Sequence, residues 1–287
     1  MPRAPAPPSA RPPGRRLPRR FALTAALCLA ATPAAAQVVR SAAGADPAGI
    51  QTSVDAFRAD LGALNPNTAG SAGSGRREIN WDGTPAAFSA PNALPANFFN
   101  VNSPRGVVFS TPGTGFQVSA NAADGPVEFG NLNAAYPAQF QPFSSQKLFT
   151  AIASNTMDVD FFVPGSTTPA AVRGFGAVFT DVDAANTTSL SFFGLNDELL
   201  GTFFAPTFDN GLSFLGVSYS SDVITRVRIT SGTTALGPLE GAATDVVVMD
   251  DFLYAEPVAV VPEPATWLLT ATGLAAMLGL ARRGRRA

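Results

Sequence analysis

Histidine is absent from the chain and cysteine occurs once, at Cys28. Without histidine there is no Ser-His-Asp or Cys-His nucleophile arrangement, no histidine-rich zinc site and no ordinary proton shuttle near neutral pH. With a single cysteine there is no intramolecular disulfide, so stability has to come from a hydrophobic core, with bound ions as the remaining support. Basic residues are also outnumbered in the middle. Of 19 Lys and Arg, six lie in residues 1–20 and four near the C-terminus, leaving nine between Gln37 and Pro264 to set against all 21 acids. That central region is therefore near −12, a charge that repels nucleic acid and anionic lipid headgroups and favours solubility and divalent cations. No basic patch argues for DNA or RNA. Tryptophan is limited to Trp81 and Trp267, with three Tyr, which is thin material for an aromatic platform under a sugar ring.

Two apolar runs mark the ends. The first, residues 21–31, follows Arg3, Arg11, Arg15, Arg16, Arg19 and Arg20 and precedes Thr32-Pro33-Ala34-Ala35-Ala36. A basic head, a short apolar stretch and small residues at Ala34 and Ala36 predict a signal peptide over 1–36, cut before Gln37. A first transmembrane helix fails on length. Arg19-Arg20-Phe21 leaves twin-arginine export open beside the general route.

The second run, 265–281, is uncharged and stops at Arg282, Arg283, Arg285 and Arg286. As a helix it would rise about 25 Å, near the short end of a bilayer's hydrocarbon core. The arginines act as a stop-transfer cluster that keeps the C-terminus in the cytoplasm and everything before Pro264 outside. Pro262-Glu263-Pro264 stands directly before this run. The order of tripeptide, short apolar helix and arginine cluster resembles the PEP-CTERM sorting signal of Gram-negative bacterial exoproteins, with an ordinary tail anchor as the bland alternative. The resemblance implies recognition by an exosortase that removes the tail. Signal peptidase and exosortase are then the processing partners, the membrane anchor (helix 265–281 within a sorting signal over 258–287) is transient, and the product ends at the cell surface or outside. This describes handling and assigns no activity to the exported part.

Between the ends, Ile50, Val54, Phe57, Leu61 and Leu64 fall on one helical stripe, with Asp46 placed as N-cap and Pro47 at the first helical position. This predicts a short amphipathic helix over about 47–63. Residues 65–75, rich in Gly, Ser and Asn, read as a flexible linker, so 37–77 is expected as helix plus linker ahead of a domain at 78–257. From Glu78 on, Val, Ile, Phe and Thr recur in short runs between turn residues, at 106–110, 115–120, 147–153, 157–163, 174–180, 189–193, 199–205, 212–219, 224–230 and 245–254. No helix of useful length interrupts them, whereas a parallel α/β arrangement needs crossover segments of a dozen or more residues. The expected fold is mainly β, an antiparallel jelly-roll-like two-sheet sandwich. The order of its later segments, from Gly174-Phe175-Gly176 through the Asp-rich turn at Asp181 and Asp183 to the closing Asp250-Asp251-Phe252, is similar in texture to lectin- or carbohydrate-module-like sandwiches.

Asp181, Asp183, Asp250 and Asp251 are the candidate ligands for a structural Ca²⁺, with Asp158 and Asp160 beside them, because hard carboxylate oxygens at strand ends suit that ion. The Asp-x-Asp-x-Asp-Gly loop is lacking. Trp81 is the one candidate for stacking on a glycan, set against a role in the core. The functional expectation is an exported, non-catalytic surface or matrix protein with weak glycan or calcium binding and extracellular polysaccharide as partner. The alternative is a secreted carbohydrate-active enzyme using two carboxylates, with Glu78, Glu128, Glu198 and Glu240 as the available glutamates.

Overall fold

The computed structural model describes residues 37–237 and 244–260, together with Met1 and residues 272–274. Residues 2–36 of the expected signal peptide, Glu240, Pro262, Glu263, Pro264 and the arginine cluster lie outside the described residues. So does the expected span 265–281, apart from residues 272–274, which are helical. Among the described residues no helix is long and apolar enough to cross a membrane.

Fourteen strands are described: β1 (Gln37–Gly44), β2 (Arg76–Ile79), β3 (Val107–Ser110), β4 (Gly115–Val118), β5 (Phe149–Ile152), β6 (Thr156–Phe161), β7 (Ala170–Ala171), β8 (Gly174–Val182), β9 (Ser189–Phe193), β10 (Leu199–Phe204), β11 (Phe208–Tyr219), β12 (Arg226–Thr230), β13 (Val248–Ala255) and β14 (Val258–Ala259). The helices used below are α1 (Pro47–Leu61) and the single turn α2 (Phe98–Val101). One sheet runs β1-β11-β8-β13-β5-β4, with β2 also on β13, and the other runs β10-β9-β12-β6-β3. All ten expected strands are present and the pairings within both sheets are antiparallel. This mainly β arrangement is consistent with a two-sheet sandwich.

Alternation decides which face of the five-stranded sheet is wet. On β6, Met157, Val159 and Phe161 are buried; on β12, Val227 and Ile229 are. Their neighbours point the other way, and Arg228 donates to Asp158 directly across the strands at 2.8 Å while Arg226 approaches Asp158 at 3.2 Å. Asp158 is thus occupied by a cross-strand ion pair, worth a few tenths to about 1 kcal/mol on such a surface. Strands β8 and β13 behave differently, being buried along their whole length. One side meets the second sheet, as in the Phe161–Phe175 ring contact, and α1 covers the other side of the sheet at β8 and β11.

Helix α1 begins as expected: Asp46 has extended backbone and its carboxylate accepts the Gly49 N–H, with Pro47 following. Ile50, Val54, Phe57 and Leu61 are fully buried, each contributing roughly 1.5–3 kcal/mol relative to exposure. Leu64 lies past the helix end and is exposed. Phe57 sinks into the sheet because Gly176 and Gly216, opposite each other in register, present no side chain. A Cβ on either would come within 2.8–2.9 Å of its ring.

The expected separation of a helix-plus-linker segment at 37–77 does not correspond to the contacts. Strand β1 pairs with β11 from Gln37↔Tyr219 to Gly44↔Leu212, and β2 pairs with β13. Residues 65–75 are held in place as well. The Glu256 carboxylate accepts from Ala72 N and Asn65 Nδ2, and it receives Arg77 through Nε at 2.7 Å and Nη2 at 2.8 Å, with both partners almost completely buried. Arg77 also donates to the carbonyls of Pro66, Thr68, Gly70 and Pro104. A Gly-Ser composition lowers the intrinsic order of a segment, and here a buried guanidinium that consumes its carbonyls restores it.

Candidate functional site

The carboxylates gather where β8 and β11 part. Pairing runs regularly to Thr180↔Leu212 and resumes at Val182↔Phe208, so Asp181 faces three residues, 209–211, in a bulge. Asp181 and Asn210 both take positive φ, +67° and +52°, a region that Asp and Asn enter more readily than most residues. Asn210 N donates to Asp181 Oδ1 at 2.8 Å. The bend turns Asp181, Asp183 and Asp209 toward one another, with one carboxylate oxygen from each inside a span of 4.8 Å. Asp181 is buried and the other two are exposed. Asp245 stands behind them, accepting the backbone N–H groups of Asp183 and Ala184 and the Thr187 hydroxyl. Burial, then the negative charges of Asp209 and Asp245, raise the Asp183 pKa above its ordinary value. A divalent cation would relieve that crowding. Ca²⁺ takes six to eight oxygens, so the three carboxylates would supply the charged part of its shell and carbonyls and water the rest.

Of the sequence candidates, Asp181 and Asp183 come together and Asp250 and Asp251 do not join them. The latter pair lies in a second bulge, where β13 spends three steps from Met249 to Phe252 against two on β8. Asp250 accepts Phe143 N at 2.6 Å and Ser144 N at 3.0 Å, and Asp251 accepts the Ser144 hydroxyl at 2.7 Å. They anchor residues 143–144 to the sheet. Burial and then the Asp251 charge push Asp250 well above the carboxylate range, and burial pushes Asp251 up to about 6. Their oxygens are thus taken up in holding residues 143–144, and the pair stands apart from the Asp181 cluster.

Trp81 is corrected as a glycan platform. It is 1% exposed, stacks on Phe149 at 4.0 Å between centroids, and donates Nε1–H to the Asp250 carbonyl at 2.9 Å. A buried indole with its donor satisfied is a core residue. Asp209 and Asp245 went unnoticed because strand pairing, not chain proximity, brings them to Asp183. The Asp209-Asn210-Gly211 turn just before an apolar strand was the available signal.

The glutamates of the enzymatic alternative are dispersed in role. Glu78 is gripped by Arg58 (3.0 Å) and Arg76 (2.6 Å); burial opposes its charge, yet these two guanidiniums hold its pKa below the ordinary value. Glu128 is half-buried and pushed up to about 7 by that burial. Glu198 accepts the Asn196 N–H in its own turn. Comparison with protein-family models, with curated proteins and with solved structures finds no match to this chain, so the reading of its function rests on its own residues.

Proposed function

We propose that the chain is an exported, non-catalytic surface or extracellular-matrix protein. It would be a jelly-roll-like sandwich led out by its signal peptide, held for a time by its PEP-CTERM-like tail, and stabilised outside the cell by calcium at Asp181, Asp183 and Asp209. The observation that carries the reading is the three-carboxylate cluster in a region near −12 that has neither histidine nor disulfide. A bound divalent ion is the stabiliser such a composition leaves open. Signal peptidase and an exosortase are the processing partners, and extracellular polysaccharide is the surrounding medium. Two measurements test it. In a host that carries the processing enzyme, Glu263→Ala should leave a larger, membrane-bound form; identical fractionation of wild type and variant would refute the sorting half. Calcium at a hundredfold excess over its Kd should stabilise the fold by roughly 2.7 kcal/mol, an effect Asp209→Asn should remove. Superimposable melting curves with calcium and with chelator would refute the metal half.

One observation favours the hydrolytic alternative enough to keep it in view. Glu78 and Asp251 share Arg58 Nη2, at 3.0 and 3.7 Å, and line one 430 Å³ cavity. One carboxyl held low beside one raised is the acid–base pattern of glycosidases. Both arms of Glu78 are taken by arginine, which works against a nucleophile. Release of reducing sugar that Glu78→Gln abolishes would make this the better reading.

A further inference from the structure

Arg105 lines two cavities. A 270 Å³ cavity has Phe98 and Phe99 of α2 on its apolar side, with Asn102 and Ser103 from the following turn, and the 430 Å³ cavity described above has Asn67 in its wall. Asn80 and Arg105 line both. The turn that delivers Arg105 is fixed by Ser103 N donating to the Phe98 carbonyl and Arg105 N to that of Phe99. Its guanidinium lies over the Phe99 ring, 5.0 Å from the centroid, and donates Nε–H to Asn67 Oδ1 at 2.9 Å and Nη1–H to Ser103 Oγ at 2.7 Å. Three contacts thus set the plane of the group, while Nη2 has no protein acceptor among the described residues.

The charge is unanswered too. Arg40, Arg58, Arg76, Arg77, Arg226 and Arg228 each hold a carboxylate, and Arg105 holds none among the described residues. Burial, against an opposing pull from Tyr254 and with the Arg77 charge adding to it, lowers its pKa from the ordinary value. A second polar group in the smaller cavity's wall is also incomplete: Thr84 Oγ1 is buried without a hydrogen-bond partner. An oriented, desolvated guanidinium beside neutral amides and hydroxyls is a receptor for a carboxylate that carries hydroxyl groups. One cation matches one negative charge. A phosphate dianion would need another, and Arg58 and Arg77 are already committed to acids, while Glu78 and Asp251 on the far side repel added charge.

We propose that this cleft binds a polyhydroxylated carboxylate, with the carboxylate on Arg105 and hydroxyls on Asn80, Asn102 and Ser103. Uronic acids are the simplest ring of this class, either free or as units of a polysaccharide. The preference for sugar acids rests on the extracellular reading above. The site itself shares no residue with the Asp181 cluster.

The test uses the purified full chain carrying Trp267→Phe, which leaves Trp81 in the cleft wall as the sole tryptophan. Galacturonate and trigalacturonate should shift its emission saturably, and calorimetry should give the same affinity. Galactose and inorganic phosphate should bind at least about tenfold more weakly, and Arg105→Ala should lose about tenfold or more, with Arg105→Lys in between. A trimer much tighter than the monomer identifies a polysaccharide as the source, and equal affinities identify the free acid. Because Arg105 also braces Asn67, Asn102→Ala at the exposed helix end serves as a second variant, expected to weaken binding about threefold. No calorimetric binding of either acid, phosphate binding more tightly than galacturonate, or affinity unchanged in Asn102→Ala and in a folded Arg105→Ala would overturn the proposal. A chain exported and processed as described above that ignores both acids would overturn this inference alone.

Discussion

At the scale of residues, the strongest electrostatic commitments lie in the interior. Removing one partner of the buried Arg77–Glu256 pair strands a charge in low dielectric, so Glu256→Gln is expected to cost about 3–5 kcal/mol in urea unfolding. Replacing both by Met and Leu should not fully restore stability, because four backbone carbonyls then lose their donor. Asp251 acts in the opposite sense. Its pKa rises from 3.8 to about 6 on folding, so the native state keeps a proton that the unfolded chain has released, and its contribution to stability falls as pH rises through that window. Wild type should therefore lose more of its urea midpoint than Asp251→Asn between about pH 4 and about pH 7. An equal loss in the variant would show that the carboxyl ionises as freely in the folded chain as in the unfolded one. Asp181 and Asp183 were visible in the sequence as a pair near a strand end. Asp209, far along the chain, was not, since single-sequence reasoning has no access to which strands become neighbours.

At the scale of elements, α1 was legible in its start and its buried face, with N-cap, proline and the stripe from Ile50 to Leu61 agreeing with what forms, while Leu64 falls beyond its end. The seat of α1 was not legible, because a glycine in a strand pattern signals close approach without naming the visitor. Gly216→Ala would place a Cβ 2.9 Å from Phe57 and Phe214, and should destabilise by about 1–3 kcal/mol through overpacking, read as a lowered melting temperature. Substitution at Gly83, where an added Cβ meets nothing within 4 Å, is the control. The ten strands read from apolar runs all form, while β1, β2, β7 and β14 were missed for a shared reason. Ser-Ala-Ala-Gly, Arg-Arg-Glu and two-residue strands carry little β-propensity of their own, and they extend only because a waiting edge of β11, β13 or β7 accepts them.

At the scale of the whole molecule, the absence of a disulfide means that reducing agent should leave the melting temperature unchanged. A drop on adding reductant would show that Cys28 persists in the folded product and pairs between chains. The sheet order has a consequence in time. Strand β13 receives β2, β5 and β8, and β11 receives β1, so the earliest segments dock on strands near the end of the chain. Such long loops close slowly, and folding dominated by distant pairings runs over milliseconds to seconds. A chain emerging from its N-terminus would hold β1 unpaired until Tyr219 had emerged and β2 until Ala255 had, so the fold closes only with its last long strand.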